Sequence, residues 1–498
     1  MTVDSSVAQP MPGVGDEGWS FRYVLSLISL VVAAEVLAAS YLMVSTALPL
    51  IGKEFHTTQT SWMLTAFLLV GSVTSPLVGK LADTHGKRKL LVITMGITIL
   101  GALISALASS YFLMLIGRGM SGFFTASIFL SYSLIRDVYP PRIVPMAVAI
   151  VTSGMGVVSV GLPFLSGWLI DHFGFRSVFW LTAGALSVVV VLIVLTTAES
   201  TARLRGKIDP IGAILLGGGV GCILVAISFG GVWGWMSASV LGYFAGGLVL
   251  LVAWLISAHF LSEPLIDIAL LAHPPVVFTA LAAGFCQAAV TGFAVILPLM
   301  VMTPLIPGMD LGYGFGTDTS GVALFQAPQG FGMMLGGLAV GYLVGRKVKP
   351  RLTMISGGLL WITGAVMLAF FHESQALVIL FGVFAGLATG VCFASTPNLQ
   401  IEAVPPQLQA STASIVTVGN NMLAGVIPVV LLAVMNANIV LEVDGGVVYS
   451  NSAITYGWLI VAGVGLLLTI SALLLPRKIE TVKLLSNLDV SPAMTRSS

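Results

Sequence analysis

The chain has 498 residues, of which 57% are hydrophobic and only 8% are charged, and its formal net charge is +1. Soluble domains carry about 25% charged residues, so this composition predicts that most of the chain lies within a membrane. The small net charge argues against nucleic acid as a partner. The three cysteines, Cys222, Cys286 and Cys392, lie in apolar runs without metal-ligand spacing. We therefore expect no disulfide framework, no metal site and no cofactor.

Fourteen apolar runs are long enough to cross a bilayer as helices, at about 20 residues each. Because the bilayer core offers no water to unpaired backbone groups, each run is expected to be helical. The sequence therefore predicts an all-α polytopic membrane protein. The approximate limits of the spans are 23–51, 59–79, 90–109, 112–135, 143–169, 175–198, 209–231, 237–259, 276–303, 319–344, 352–371, 375–397, 407–436 and 454–475.

Lys and Arg are distributed unevenly between the two sides of this topology. With the amino terminus placed inside, 18 of the 21 basic residues fall on the inner side. Lys53 and Arg176 fall outside, and Arg118 lies within span 4. Cytoplasmic loops carry an excess of Lys and Arg. We therefore expect a plasma-membrane protein with two cytoplasmic tails, 1–22 and 476–498.

The loop between spans 2 and 3 holds a dense charged cluster, which includes Gly79, Asp83, Gly86, Lys87 and Arg88. Gly86 suits a turn that needs a positive φ, and a loop that only fixes topology is the alternative interpretation. The pattern G-x-L-x-D-x-x-G-[KR]-[KR] resembles the loop signature between helices 2 and 3 of the major facilitator superfamily. The resemblance implies two six-helix bundles, with a cavity between them that opens in turn to the two sides of the membrane. It also implies that Asp83 faces the start of span 13 in the outward-facing state.

Span 4 carries an arginine inside the membrane, Arg118, and such residues are costly and usually functional. Arg118, Ser121, Gly122, Thr125, Phe129 and Tyr132 follow helical spacing, which predicts one face that lines a cavity. Glu35 is the carboxylate well inside span 1, at nearly the same predicted depth, so that a Glu35–Arg118 pair is possible. The alternatives are an arginine that binds a backbone carbonyl and a protonated Glu35 that a hydroxyl holds.

Two further stretches resemble the fourteen-helix drug:proton antiporter group of the same superfamily. Span 1 ends in Val44-Ser45-Thr46-Ala47-Leu48-Pro49, but Ser40 stands where those relatives usually place an Asp, so proton coupling is in question. Span 5 contains an antiporter-like motif, although helix bending and close packing alone would also use these residues. The motif residues are Gly156, Gly161, Pro163 and Gly167.

Uncharged polar residues are the remaining candidates for a substrate cavity, although polar side chains also hold membrane helices together. With the polar residues of spans 1 and 4, the predicted cavity set is Ser40, Tyr41, Ser121, Thr125, Gln287, Gln326, Gln329, Asn420 and Asn421. An apolar cavity with few polar groups suits a lipophilic ligand. A membrane enzyme is not expected, because no clustered histidines and no nucleophile–base pair are present.

The resemblance divides the chain into a bundle at 23–200, an inserted hairpin at 201–262 and a bundle at 263–475. A weak echo of the loop signature, Gly341-Tyr342-Leu343 followed by Arg346-Lys347, supports two repeats. We predict a monomeric secondary transporter that exports a lipophilic or amphipathic drug-like compound, with the proton as a possible coupling ion. The alternatives are an uncoupled facilitator or flippase for a lipid or hydrophobic metabolite and, less favoured, a non-transporting membrane sensor.

Overall fold

The computed structural model describes residues 19–140, 143–200, 209–261, 264, 273–305, 311–403, 409–443 and 446–476. These residues form fourteen long helices, and all of them except Val144–Phe173 are long and apolar enough to cross a membrane. Their bounds are α1 Phe21–Glu54, α2 Trp62–His85, α3 Lys87–Leu107, α4 Tyr111–Val138, α5 Val144–Phe173, α6 Ser177–Thr196, α7 Pro210–Trp233, α8 Ala238–Phe260, α9 Pro274–Val301, α10 Thr319–Gly345, α11 Pro350–Phe370, α12 Gln375–Ala403, α13 Gln409–Asn436 and α14 Asn451–Leu474. The predicted all-α fold with fourteen spans is confirmed.

Local sequence fixes where several of these helices begin. A short polar side chain precedes each and accepts a hydrogen bond from a backbone N–H of the first turn, which would otherwise have no partner. Ser110 caps α4, Asp209 caps α7, Ser237 caps α8, Asp318 caps α10 and Ser450 caps α14. Between α2 and α3 the turn is a single glycine, Gly86, whose φ is 117°.

The helices form two bundles in which the same pairings recur. In the first bundle α1 packs on α5 and α6, α4 on α2 and α3, and α3 on α6. In the second bundle α9 packs on α13 and α14, α12 on α10 and α11, and α11 on α14. Each of these pairings in the first bundle recurs in the second between helices whose numbers are higher by eight. The second six-helix unit is therefore built like the first, with two extra helices between them.

The two extra helices, α7 and α8, pair with each other, and α7 also contacts α2 and α13. The hairpin therefore lies outside the bundles, against the seam where α2 meets α13. Trp62 Nε1 of α2 donates to Ser228 Oγ of α7 at 3.0 Å, and Ser228 Oγ donates in turn to Gln59 Oε1. These polar contacts fix one end of the hairpin to the first bundle.

We call the end of the molecule at which α1 finishes and α2 begins the outer end, after the predicted orientation. A short antiparallel pair of strands lies there between α13 and α14, with bounds Ile439–Val443 for β1 and Gly446–Tyr449 for β2. The sequence analysis predicted no strand between spans 13 and 14. Tyr449 accounts for its position, because the phenol donates to Asn436 Oδ1 at 2.9 Å and the backbone oxygen accepts from Tyr313 Oη at 2.7 Å.

Candidate functional site

Arg118 lies in the middle of the first bundle with its side chain almost completely buried, at 1% exposure. Its Nε donates to the backbone oxygen of Met63 at 3.0 Å. The two terminal nitrogens donate to Ser40, Nη1 to Oγ at 2.8 Å and Nη2 to the backbone oxygen at 3.0 Å. The guanidinium also stands 4.2 Å from the centre of the Phe67 ring, in cation–π geometry. Arg118 thus ties α4 to α1 and α2 through neutral groups.

Glycine contacts bring α4 close enough to its neighbours for this arrangement. A Cβ on Gly117 would collide with Gly101 of α3, and a Cβ on Gly122 would lie 2.5 Å from the backbone oxygen of Phe67 in α2. Small residues allow such approach between membrane helices. The guanidinium therefore reaches backbone oxygens of α1 and α2 without leaving the bundle interior.

The predicted helical face of span 4 is not continuous, because Gly122–Ala126 is a 3₁₀ helix. A 3₁₀ helix has 3.0 residues per turn, so residues beyond it are rotated relative to an α-helical register. Ser121 Oγ donates to the backbone oxygen of Gly117 at 3.0 Å, and Thr125 Oγ1 shares a hydrogen bond with Ser75 Oγ of α2 at 2.9 Å. Both hydroxyls are therefore engaged inside the first bundle.

Glu35 is also buried, at 9% exposure, and neither of its carboxyl oxygens has a hydrogen-bond partner among the described residues. The possible Glu35–Arg118 pair is not formed in this conformation, because the described bonds of Arg118 all go to Met63 and Ser40. Contact with backbone carbonyls, the alternative interpretation of Arg118, is the arrangement observed. The first bundle thus holds two buried ionisable groups that do not neutralise each other.

Tyr41 connects this region to the second bundle. It lies close enough to Arg118 for an electrostatic interaction and faces Thr291 of α9, while its hydroxyl makes no hydrogen bond among the described residues. Nearby, Gln326 Nε2 of α10 donates to Thr46 Oγ1 of α1 at 3.4 Å. These residues lie where the two bundles meet, and the predicted Gln326 reaches α1 through Thr46, which was not among the predicted residues.

Polar atoms without partners remain in the second bundle. Among the described residues, Gln326 Oε1, Asn420 Oδ1 and Asn421 Nδ2 are buried and make no hydrogen bond. Gln287 and Gln329 are half-buried, one on α9 and the other on α10. A buried polar atom without a partner costs free energy, so such atoms favour a ligand that supplies the missing bond.

The charged loop between α2 and α3 is held by acids that the sequence prediction did not single out. Lys87 Nζ donates to Asp137 Oδ2 at 2.5 Å, and Glu199 accepts from the backbone nitrogens of Arg88 and Lys89 at 2.9 and 3.0 Å. The available signal was the position of both acids directly after spans 4 and 6, on the same predicted side of the membrane as the basic loop. Gly79 lies beside the Phe129 ring, whereas the side chain of Asp83 and residues 404–408 lie outside the described part, so their predicted contact stays a prediction.

The span-5 motif lies at a contact between the two bundles. A Cβ on Gly167 would collide with the backbone of Ser320 at the start of α10, whereas one on Gly161 would meet nothing within 4 Å. Pro163 lies inside α5, and the surroundings of Gly156 are outside the described part. One turn beyond Gly167, Asp171 accepts from the hydroxyl of Thr319 and from the backbone nitrogens of Thr319 and Ser320, at 3.2 and 2.8 Å. Asp171 was not among the predicted site residues.

Sequence comparison connects the chain to known transporters. It is 27% identical over 353 residues to an uncharacterised MFS-type transporter of Mycobacterium tuberculosis, covering 69% of this chain and 49% of that protein. The tetracenomycin C resistance and export protein of Streptomyces glaucescens is 25% identical over 407 residues, covering 80% of this chain and 72% of that protein. The multidrug resistance protein Stp of M. tuberculosis is 25% identical over 428 residues, covering 84% and 77% respectively.

Structure comparison finds the same fold. A bacterial homologue of the human lysosomal transporter Spinster, solved in an inward-facing and unoccupied conformation, matches with a TM-score of 0.62 and 16% identity. The match covers 92% of this chain and 97% of that one. The family model described as Major Facilitator Superfamily matches residues 30–428. The chain therefore belongs to the major facilitator superfamily of membrane transporters.

Proposed function

We propose that this transporter exports a lipophilic or amphipathic small molecule across the plasma membrane by alternating access, as a monomer with both termini in the cytoplasm. The observation that carries the proposal is the set of buried polar atoms without a hydrogen-bond partner among the described residues of α1, α10 and α13, which includes Tyr41 Oη, Gln326 Oε1 and Asn420 Oδ1. A cavity with a few polar groups in apolar walls suits a lipophilic ligand. Two relatives, the tetracenomycin C resistance and export protein and the multidrug resistance protein Stp, support this direction of transport by their names.

Glu35 is the candidate for proton coupling in this proposal. Its carboxyl has no donor and no cation among the described residues, and such burial favours the neutral, protonated form. Approach to Arg118 would favour the ionised form. A conformational change that moves Glu35 toward Arg118 would therefore release the proton, and the reverse change would take it up.

An uncoupled facilitator or flippase is the second candidate function. Arg118 is held by the hydroxyl and backbone oxygen of Ser40, so the first bundle forms its buried contact without a carboxylate. A transporter without proton coupling does not need a carboxylate next to Arg118. In this alternative Glu35 is structural, and export follows the gradient of the substrate.

Proteoliposomes with and without an imposed pH gradient distinguish the two candidates. We expect gradient-dependent flux of dansylglycinamide, a neutral amphipathic fluorophore, or of other members of a panel of amphipathic compounds. Flux that is insensitive to the pH gradient would favour the uncoupled facilitator. Absence of both flux and binding across the panel would contradict the proposed export and favour the sensor.

A further inference from the structure

The charge of Arg118 has no acidic counterpart among the described residues. The ion pairs of the described part join Lys87 and Arg136 to Asp137, and Arg176 to Glu54, all near the ends of helices. Glu35, the nearest acid in sequence to Ser40, has no partner for either oxygen. The first bundle thus contains a cation surrounded by a ring, a hydroxyl and backbone oxygens.

A buried cation of this kind is costly to keep unpaired. Neutral oxygens satisfy its hydrogen bonds, but they do not cancel the charge that has been removed from water. The cost is higher within a bilayer than at a protein surface. A ligand that brings one negative charge to Arg118 therefore gains more free energy than the same ligand with a neutral group.

Arg118 has bonding capacity left for such a ligand. A guanidinium has five N–H groups, and three donate in the bonds to Met63 and Ser40, so two remain. One of these belongs to each terminal nitrogen, and because Ser40 already accepts from both nitrogens, the two point apart and each can donate to a single anionic oxygen. Tyr41 interacts electrostatically with Arg118, and its buried hydroxyl, which makes no hydrogen bond among the described residues, adds a donor close to this site.

We infer that the transported compound carries a single anionic group, of carboxylate type, on an apolar body, and that this group pairs with Arg118. The inference rests on the proposed export function and names its substrate class. One cation calls for one anionic group, and the Phe67 ring beside the guanidinium favours an apolar body next to it. Arg118 has two roles in this arrangement, because it holds α1 to α2 in the empty protein and binds the anion in the loaded one.

Binding of matched probes to the purified full chain tests the inference. Dansylglycine, dansylglycinamide and N-(2-aminoethyl)dansylamide share one apolar body and carry a carboxylate, a carboxamide and an ammonium group. A hydrogen bond to a charged group is stronger than one between neutral groups, so we expect dansylglycine to bind at least about tenfold more tightly than the amide. The ammonium probe should bind more weakly than the amide.

Two substitutions at one position provide the decisive comparison. Ser40→Asp places a carboxylate within reach of Nη1, now 2.8 Å from Ser40 Oγ, and should abolish the preference for dansylglycine. Ser40→Asn adds similar bulk without charge and should keep the preference. Thermal unfolding of both variants shows that they are folded, and Arg118→Gln, where it folds, should lose the preference as well.

Equal affinity of the wild-type protein for the acid and the amide would overturn the inference, as would an acid preference that survives in folded Ser40→Asp. Gradient-driven export of the amide at the same rate as the acid would also overturn it, while the proposed export function stands. Absence of flux and of binding for the whole panel contradicts the export function itself. The two failures therefore give different results.

Discussion

Two helix crossings occupy equivalent places in the two bundles, the crossing of α2 with α4 and that of α10 with α12. In the first, a Cβ on Gly122 would lie 2.5 Å from the backbone oxygen of Phe67. In the second, a Cβ on Gly386 would collide with the backbone oxygen of Gln329. Four residues before Gly122 stands Arg118, whereas four residues before Gly386 stands another glycine.

This difference separates what the fold needs from what the site adds. The second crossing packs with backbone against backbone and without any buried charge, so an arginine is not required to hold two such helices together. Arg118 is therefore an addition to the crossing in the first bundle that close packing of the two helices does not itself require. The second bundle contributes uncharged amides with free atoms, among them Asn420 and Asn421. Among these buried residues, the charged side chain lies in the first bundle and the uncharged amides lie in the second.

The largest effect is expected where the crossing itself is broken. Gly386→Val should destabilise the fold by about 1–3 kcal/mol or more, because backbone on the facing helix cannot move aside as a flexible side chain can. Gly122→Val should have a comparable effect if the two crossings are equivalent. Gly337→Val is the matched control, since a Cβ there meets nothing within 4 Å. Thermal unfolding of purified protein, followed by intrinsic fluorescence, measures all three, and equal stability of Gly386→Val and Gly337→Val would contradict the comparison.

The next effect separates the charge of Arg118 from its shape. Arg118→Lys keeps the charge but loses the planar fork that reaches Ser40 and Met63 together. We expect export to fall by roughly tenfold or more, in line with the loss of a charged hydrogen bond. Arg176→Lys is the control, because Arg176 binds the backbone oxygens of Ala106 and Ala108 at the outer end. It should lower the unfolding temperature and leave export per folded molecule unchanged; a reversed pattern would place the functional arginine at the outer end.

A third prediction concerns the other buried ionisable group of the first bundle. Glu35→Gln should remove the response of export to a pH gradient while substrate exchange at equal concentrations continues, because the amide cannot take up or release the proton. Counterflow and gradient-driven flux in the same proteoliposomes measure the two activities. Glu54→Gln, at the exposed end of α1, should change neither. If Glu35→Gln keeps full gradient-driven export, the uncoupled facilitator becomes the better hypothesis.

The sequence predicted the parts of this molecule that depend on local pattern. The spans, the turn at Gly86 and the repeat of six helices follow from apolar length, glycine and spacing within single segments. The missed features depend on contacts between distant segments. The 3₁₀ turn at Gly122–Ala126 arises where α4 crosses α2, and Asp137 and Glu199 meet basic residues about 50 and 110 positions earlier. No periodicity within one helix contains that information.

For Arg118, span lengths predicted the depth in the membrane and the cost of burial, but they left the hydrogen-bond partners of the guanidinium open. The choice among Glu35, a hydroxyl and a backbone oxygen depends on how α1 is rotated relative to α4. That rotation is set by packing against α2, α5 and α6 rather than by any residue next to Glu35 or Ser40. Glu35 and Arg118 can therefore have nearly equal predicted depths in the membrane without forming an ion pair.

The smallest effect is expected at the contact between α5 and the start of α10. This contact tests whether a charged residue of the first bundle also holds the two bundles together at the outer end. Asp171 of α5 accepts hydrogen bonds from Thr319 and Ser320 at the start of α10, where the positive end of the helix dipole favours an anion. Asp171→Asn keeps an acceptor oxygen and loses the charge, which costs roughly 0.3–1 kcal/mol at such a position.

The outer ends of the bundles should accordingly separate more often in Asp171→Asn, by about two- to fivefold in population. Pulsed electron spin resonance between labels at Phe173 and Leu305, both exposed at the outer end, measures that distribution. Asp318→Asn is the matched control, because Asp318 caps the same helix from within the second bundle, through Gly321. It should weaken the start of α10 without changing the distance between the labels. The opposite result, in which the control widens the distribution and Asp171→Asn does not, would contradict this prediction. The contact would then depend on the shape of α10 and not on the charge of Asp171.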